Sequence, residues 1–420
     1  MGGSERNGVR HIVVAGAGIP GLTLALALRQ AHGATLDVTV CDPGLETSAG
    51  RHRGRAFAVA AGPRRMLERI GIWERIGAAV QPIREMVVSD SRLADPVRPV
   101  FLTFGQDDAR QAGSDEPFAH MVEADALAEA LLAGCREAGV GLEPAAVVAA
   151  MPSGARIAAR LGDGRDLAAS LVVAADGARS RLREAAGIGW VGWSYPQSGI
   201  VATIRHGRDH EGRAYEHFLP SGPFAILPLA DDAQGHRSSI VWTERSDGIA
   251  ALTGGGPDET LREIERRFGL ELGAIALAHG PSAHPLAFGM ARRFRAERLA
   301  LLGDAAHVIH PIAGQGLNLG LAAAAVLAEA VTEALRLGLD PGSGEVLGTY
   351  ERARRFDTLA MAAATDGLNR LFSNDSLPVR LARDLGLGLV DRLPGLKRYF
   401  IGEAAASRGS LPRLLRGEAL

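Results

Sequence analysis
The chain has 420 residues, of which 47% are apolar and 22% charged. This is globular composition, so wholesale disorder is excluded, and at roughly 100–200 residues per domain the length allows two or three units. The 46 basic and 48 acidic residues leave a net charge of −2, which gives no reason to expect nucleic acid as a partner. Cys41 and Cys135 are the only cysteines, too few for a disulfide framework, and a reducing compartment fits.

The segment His11–Ala15 reads as a short buried strand, Ile19–Ala31 as a helix and Leu36–Asp42 as a second strand, a βαβ opening. The apolar run Ile12–Leu28 is not read as a signal peptide, because Gly16, Gly18, Pro20 and Gly21 interrupt it. Strands are predicted at Met86–Ser89 and Val97–Phe101, a loop over Gln106–Pro117 and a helix over Glu123–Ala138. A buried strand follows at Leu171–Ala175. Residues 190–245, rich in Trp, Tyr and Pro, predict an antiparallel sheet, and Pro257–Phe268 a helix. Leu299–Leu302 reads as a buried strand leading through a Gly-rich turn to a long Ala-rich helix from about Gly316. The tail from Pro341 reads as helical, with Asp340 as N-cap and Pro341 at the first helical position. The run Leu317–Leu337 carries Asn318, Glu329, Glu333 and Arg336, so it does not read as a membrane span. The chain reads as soluble.

Three motifs carry chemistry. Gly16-Ala-Gly18-Ile-Pro-Gly21 fits the strand, G-x-G-x-x-G, helix arrangement of a dinucleotide loop. Gly16 permits the tight turn, Gly18 lets the backbone approach a pyrophosphate, and Gly21 lets helix pack on strand. Asp42 closes the second strand, where a carboxylate can accept ribose hydroxyls. Far downstream, Gly303-Asp304 ends a strand and leads through His310-Pro311-Ile-Ala-Gly314-Gln-Gly316-Leu317-Asn318 into the long helix. Asp304 is placed to bind a polyol, and Gly314 and Gly316 remove side chains where a flat ring must meet backbone. The helix beginning there directs its N–H groups at a ligand in front of it. Between these, Asp176-Gly177 follows a buried strand. Asp176 could cap the next helix, and Arg179, Arg181 and Arg183 could serve phosphates.

Other candidates are weaker. His307 and His310 have no third ligand nearby in sequence, so no metal site is expected and packing is the better reading. His206, His210 and His217 fall in the β-rich segment and read as solvated or core histidines, with His217 the one pocket candidate. Ser221 lies in Pro-Ser-Gly-Pro, which is not a serine-hydrolase elbow.

Together the three motifs resemble those of the class A flavoprotein aromatic monooxygenases, whose fold is that of para-hydroxybenzoate hydroxylase. The finer resemblance is to the ubiquinone-biosynthesis hydroxylases. It is carried by His310-Pro-Ile-Ala-Gly-Gln-Gly-Leu-Asn-Leu-Gly320, Gly54-Arg55-Ala-Phe-Ala, Asp366–Asp375 and Leu393–Phe400. The resemblance implies an α/β fold, with a Rossmann-like FAD-binding domain, an inserted antiparallel β-sheet substrate domain and a helical C-terminal tail. The implied division is FAD-binding over 1–82, 105–189 and 286–340, substrate sheet over 83–104 and 190–285, and C-terminal helices over 341–420. It further implies FAD held by Gly16, Gly18, Gly21, Asp42, Arg55, Asp176, Gly303 and Asp304. The stretch Pro311, Gly314, Gly316, Leu317 and Asn318 would lie against the flavin ring.

NADPH or NADH would be the electron donor, O2 the oxidant and a polyprenyl phenol the substrate, with ring hydroxylation as the reaction. The catalytic side chain is not readable. The implied location is cytoplasmic, peripheral at the inner membrane beside other ubiquinone-pathway proteins. Residues 379–420, with eight basic and four acidic side chains, offer a weakly basic face that also fits a solvated helix. Two positions depart from the family pattern: Ala323 stands where an Asp is usual, and Asp125 where an Arg is frequent. The sequence also fits a class A hydroxylase of a soluble aromatic, an isoprenoid flavin reductase, and a non-catalytic binding or scaffold protein.

Overall fold
The computed structural model describes residues 10–45, 54–91, 93, 100–105, 116–117, 119–311, 314–373 and 411–420. Two expected features, the loop over most of 106–117 and the motif at 393–400, lie outside them, as do the first residues of the strand expected from Val97.

The first layer is a six-stranded sheet in the order β18 (Arg295–Ala296), β19 (Leu299–Leu301), β12 (Leu171–Ala174), β1 (Arg10–Ala15), β2 (Leu36–Cys41), β8 (Gly141–Glu143). From β19 to β8 the strands are parallel, so their carboxyl ends share one edge. Strands β12 and β19 are buried throughout, the continuous apolar run that a parallel sheet covered on both faces requires. Helix α1 (Ile19–His32) is buried nearly all round because it lies between this sheet and two further helices, α4 (Ala124–Ala138) and α8 (Gln315–Arg336). By length and composition α8 could cross a membrane, but 78% of its apolar window is buried inside the protein.

The second layer is an eight-stranded sheet in the order β20 (His307–Val308), β17 (Ile275–Ala291), β13 (Trp190–His206), β16 (Gly235–Arg245), β15 (Gly222–Asp232), β14 (Arg213–Leu219), β5 (Glu85–Asp90), β6 (Val100–Gly105). Strand β17 continues past residue 285 to Ala291. Pro281 and Pro285 are accommodated because they sit where the β13–β17 register shifts.

The two faces of this sheet differ. One buries Ile200, Ile204, Phe224, Ile226, Ile240 and Trp242 against α7 (Pro257–Phe268), with the Arg267 guanidinium 3.9 Å above the Trp242 ring and 3.0 Å from Glu244. The other face turns toward the first layer. There Ala214, Leu227, Leu229 and Met86 pack on a small three-stranded sheet formed by β3 (Ala56–Ala60), β7 (Ala119–Glu123) and β4 (Val80–Ile83).

Sequence reasoning misplaces the start of the last long helix. Helix α9 spans Gly344–Phe372 and is capped by Ser343, whose hydroxyl accepts the Val346 N–H. Asp340 is occupied elsewhere: it pairs with Arg298 and accepts the Gly342 N–H at 3.0 Å. A three-stranded meander, Val147–Ser153, Arg156–Leu161 and Asp166–Ala169, and the helix Ala61–Arg69 were not expected. Their alanine-rich segments carry little strand signal, and Gly62-Pro63 resembles a turn although proline suits a first helical turn.

The buried Tyr350 hydroxyl donates to the Leu301 carbonyl at 2.7 Å, tying α9 to β19. Y350F leaves that carbonyl without this donor and should cost about 1–2 kcal/mol of stability in chemical denaturation, without altering secondary-structure content.

Candidate functional site
Strand β1 leads into Gly16, β2 into Asp42, β12 through Ala175 into Asp176 and β19 through Leu302 into Gly303-Asp304, so the expected loops all emerge on the shared carboxyl edge. This edge is where open parallel sheets bind ligands.

Gly16 has φ 116°, and a Cβ there would lie 2.2 Å from the Ala175 carbonyl oxygen. At Gly21 a Cβ would lie 2.4 Å from the Gly16 oxygen. Both glycines are therefore required by backbone packing. Gly18 and Gly316 differ: no heavy atom comes closer than 4.0 Å to a Cβ at Gly18, and none lies within 4 Å at Gly316. Both are exposed and open onto free space.

Gly18 and Gly314 are the N-caps of α1 and α8, and neither helix has a side-chain cap or an acidic residue in its first turn. Two helix N-termini thus present uncapped N–H groups and a positive dipole end beside the same edge. The helices approach closely because Gly303 and Gly320 leave room for the Pro20 ring, with a Cβ at Gly320 only 2.8 Å from Pro20 Cγ.

The acidic residues take distinct parts. Asp42 accepts the Ala17 N–H at 2.9 Å and the Gly44 N–H at 2.8 Å. It braces the glycine loop, and a carboxylate retains further lone pairs for a ligand. Asp176 Oδ1 is buried without a hydrogen-bond partner, while Oδ2 accepts the Leu182 N–H at 3.4 Å. The cap of the following helix is Ser180, whose hydroxyl accepts the Arg183 N–H at 3.0 Å. Asp176 is thus not the cap, and its orphan oxygen suits an absent polar ligand. Asp304 lies deep in the cleft yet its side chain is uncovered. Burial raises its pKa and the nearby Arg55 guanidinium lowers it. Arg55, at the start of β3, is exposed toward the same cleft.

Other candidates serve the frame. Arg183 is buried, stacks 4.0 Å over Trp190 and donates to the Ala305 and Ala178 carbonyls at 3.0 Å each. It staples the Asp176 turn to the Gly303 turn and is not free to serve phosphate; Arg179 and Arg181 are exposed. The Asn318 amide is 2% exposed and spans to β3, donating to the Ala58 carbonyl at 2.9 Å and accepting the Ala60 N–H at 3.0 Å. Its side chain clamps β3 to α8 and so acts on the cleft indirectly. Leu317 is likewise buried, while Pro311 is partly exposed. His307 packs on Phe294 and His310 on Tyr195, and burial holds both near a pKa of about 4. Ala323 is in the main apolar core, and Asp125 sits in the first turn of α4, where the dipole favours it.

His217 does not face the cleft. Its ring nitrogens meet the Ser89 and Ser91 hydroxyls at 2.7 and 3.1 Å, on the face that carries Tyr215 and Leu219. Its neighbour Glu216 faces the cleft, a consequence of strand alternation.

Comparison with known proteins agrees with this geometry. A family model described as FAD binding domain matches residues 10–365. Ubiquinone hydroxylase UbiL of Rhodospirillum rubrum is 44% identical, covering 98% of this chain and 94% of that protein. The 3-demethoxyubiquinol 3-hydroxylase of Escherichia coli is 31% identical over 92% of this chain and 96% of its own length. The mitochondrial ubiquinone biosynthesis monooxygenase COQ6 of Mus musculus is also 31% identical, over 96% and 92%. Among solved structures, p-nitrophenol 4-monooxygenase PnpA from Pseudomonas putida has the same fold, with TM-score 0.75 at 20% identity over 96% of this chain and 99% of that one.

Two glycine variants separate frame from ligand contact. G16A should fail to accumulate as folded protein. G316A should leave the ligand-free melting temperature unchanged or raised, since alanine favours a helix by up to about 1 kcal/mol, while weakening flavin binding in a fluorescence titration.

Proposed function
The chain belongs to the FAD-binding monooxygenase family that includes the ubiquinone-biosynthesis hydroxylases, and from that premise we propose that it hydroxylates the aromatic ring of a polyprenyl phenol, using NAD(P)H and O2. The observation that carries the reading is the pair of uncapped helix N-termini converging on one sheet edge with the orphan oxygen of Asp176 and the uncovered Asp304.

In this reading the Gly16–Gly18 turn and the start of α1 bind the pyrophosphate, with Gly21 holding the helix close. Asp42 takes the ribose, Asp304 the ribityl hydroxyls, and Arg55 lies beside it. Gly314 and Gly316 leave backbone exposed to the flavin ring, and the amino end of α8 favours negative charge there. When bound, FAD supplies the two-electron chemistry that links NAD(P)H to O2. The chain's own task is to orient the ring, hold the phenol against it and exclude water. Overall, one oxygen atom enters the aromatic ring, the other leaves as water, and NAD(P)H supplies two electrons.

The substrate class fixes where the enzyme works. Each five-carbon prenyl unit resists water by roughly 4 kcal/mol at about 0.8 kcal/mol per CH2. A polyprenyl phenol therefore stays in a bilayer, and the enzyme meets it at the membrane surface.

The purified protein should be yellow, with close to one flavin per chain. Its NAD(P)H oxidation should be stimulated by a prenylated phenol and not by a soluble hydroxybenzoate. A deletion strain that still accumulates normal, fully hydroxylated quinone would rule the pathway out. D304A should lower flavin affinity roughly 10- to 100-fold, the scale of a lost charge-assisted hydrogen bond, as read by flavin content after gel filtration.

A further inference from the structure
The cleft-facing side of the large sheet can be followed row by row from its register. One row runs Thr203, Ser239, Leu227, and beyond it lie Ala214 and Met86. Thr203, Ser239 and Ala214 are fully covered, because β3 and its small sheet pack over this part of the face. Four residues along each strand, another row contains Gly199 and Thr243, then Pro223, Phe218 and Asp90, and it is buried.

The row between them runs Ser282, Val201, Val241, Ala225, Glu216, Val88. Here Val201, Val241, Glu216 and Val88 are only partly covered, although they lie on interior strands; on one side the row is buried, and on the other only Leu227 and Met86 are partly covered. A row this open between rows that are more fully covered is the floor of a groove. From Val201 to Glu216 it crosses three strand spacings of about 4.8 Å, or about 14 Å, enough for an aromatic ring and the start of an attached chain. The floor is apolar except for Glu216. At its open end Ser282 and His284 are exposed, with His284 near Arg55, which in turn neighbours Asp304.

Glu216 has no hydrogen-bond or ion-pair partner among the described residues. A carboxylate deep in an apolar groove is costly unless a ligand meets it. Burial alone raises its pKa to about 7. The other titratable groups of this face stand apart from it: Arg205 pairs with Asp232 and Arg237 with Glu123, Asp90 is buried in the adjoining row, and His279 and His284 belong to β17.

We propose that Glu216 is a catalytic residue that accepts the hydrogen bond of the substrate's ring hydroxyl at the floor of this groove and takes its proton as oxygen enters the ring. The assignment rests on the proposed function above. The O–H electron pair stays on the phenolic oxygen and raises the electron density of the ring. The carboxyl returns the proton to that oxygen when the attacked ring carbon loses its hydrogen. The two electrons and the oxygen come from NAD(P)H and O2, as in the overall reaction. Val201, Val241, Ala225 and Val88 hold the ring and the first part of its chain.

The test uses the flavin-loaded enzyme with two probes, 2-prenylphenol and its methyl ether, followed by flavin absorbance and by product formation. Wild type should bind the phenol at least 10-fold tighter than the ether at pH 8, and its hydroxylation rate should fall as pH drops through about 7, where the carboxylate becomes protonated. E216Q should keep its flavin, lose the preference for phenol over ether, and lose about 100-fold in kcat together with the acid limb. E216D should restore part of both.

Equal binding of phenol and ether by wild type overturns the assignment, and that comparison needs no variant. So does E216Q turning over with the wild-type rate and pH profile, or both variants losing flavin, which would place Glu216 in the frame. A wild-type holoenzyme that prefers the phenol but never hydroxylates it refutes the proposed reaction and, with it, the proton transfer.

Discussion

The structure depends on one close approach of backbone to backbone. The turn after β1 passes so near the end of β12 that a single methyl group at Gly16 would overlap the Ala175 carbonyl, and α1 starts so near that turn that Gly21 admits no side chain either. Because these segments touch, the carboxyl ends of β1, β12 and β19 lie side by side. Asp176 and Asp304, more than a hundred residues apart in the chain, are thereby brought to one cleft. Arg183 and Asn318 then secure the loops from outside the cleft through bonds to backbone, and Asp42 braces the glycine loop from its rim.

That division of labour separates two kinds of polar residue. Side chains whose hydrogen bonds are spent on neighbouring backbone are parts of the frame, however motif-like they look in sequence. Asp176 Oδ1 is buried without a partner, while Asp304 and Glu216 face space the protein leaves open. Burying polar groups without partners is unfavourable, so the survival of Asp176 Oδ1 and Glu216 in apolar surroundings argues for ligands with complementary donors. The sugar hydroxyls of FAD and the hydroxyl of a phenol would supply such donors.

The large sheet completes the arrangement by having two unlike faces. The face under α7 is closed with aromatic and branched side chains and the Arg267–Trp242 stack. The face toward the cleft is closed only where β3 reaches it. Strand β3 is held by Asn318 from the first turn of α8, so the helix whose amino end faces the cleft also sets where the covering of the sheet stops. The proposed flavin site and substrate groove thus share one positioning element.

The glycine turns, the strand–turn–helix order and the ends of most central elements were legible in the sequence. They rest on local rules: apolar runs for covered parallel strands, glycine where backbone must approach backbone, proline in a first helical turn. What misled was competition for a side chain. Asp340 looked like a cap but pairs with Arg298; Asp176 looked like a cap while Ser180 does that work; Arg183 looked like a phosphate ligand but is committed to two carbonyls.

The order of residues alone determined that a dinucleotide loop opens the chain and that a second glycine-rich turn precedes a long apolar helix. Only the tertiary structure decided which of two adjacent residues, Glu216 or His217, meets the cleft. Alternation along a strand sends neighbours to opposite faces, and which face is the inner one depends on the strands and layers packed against it.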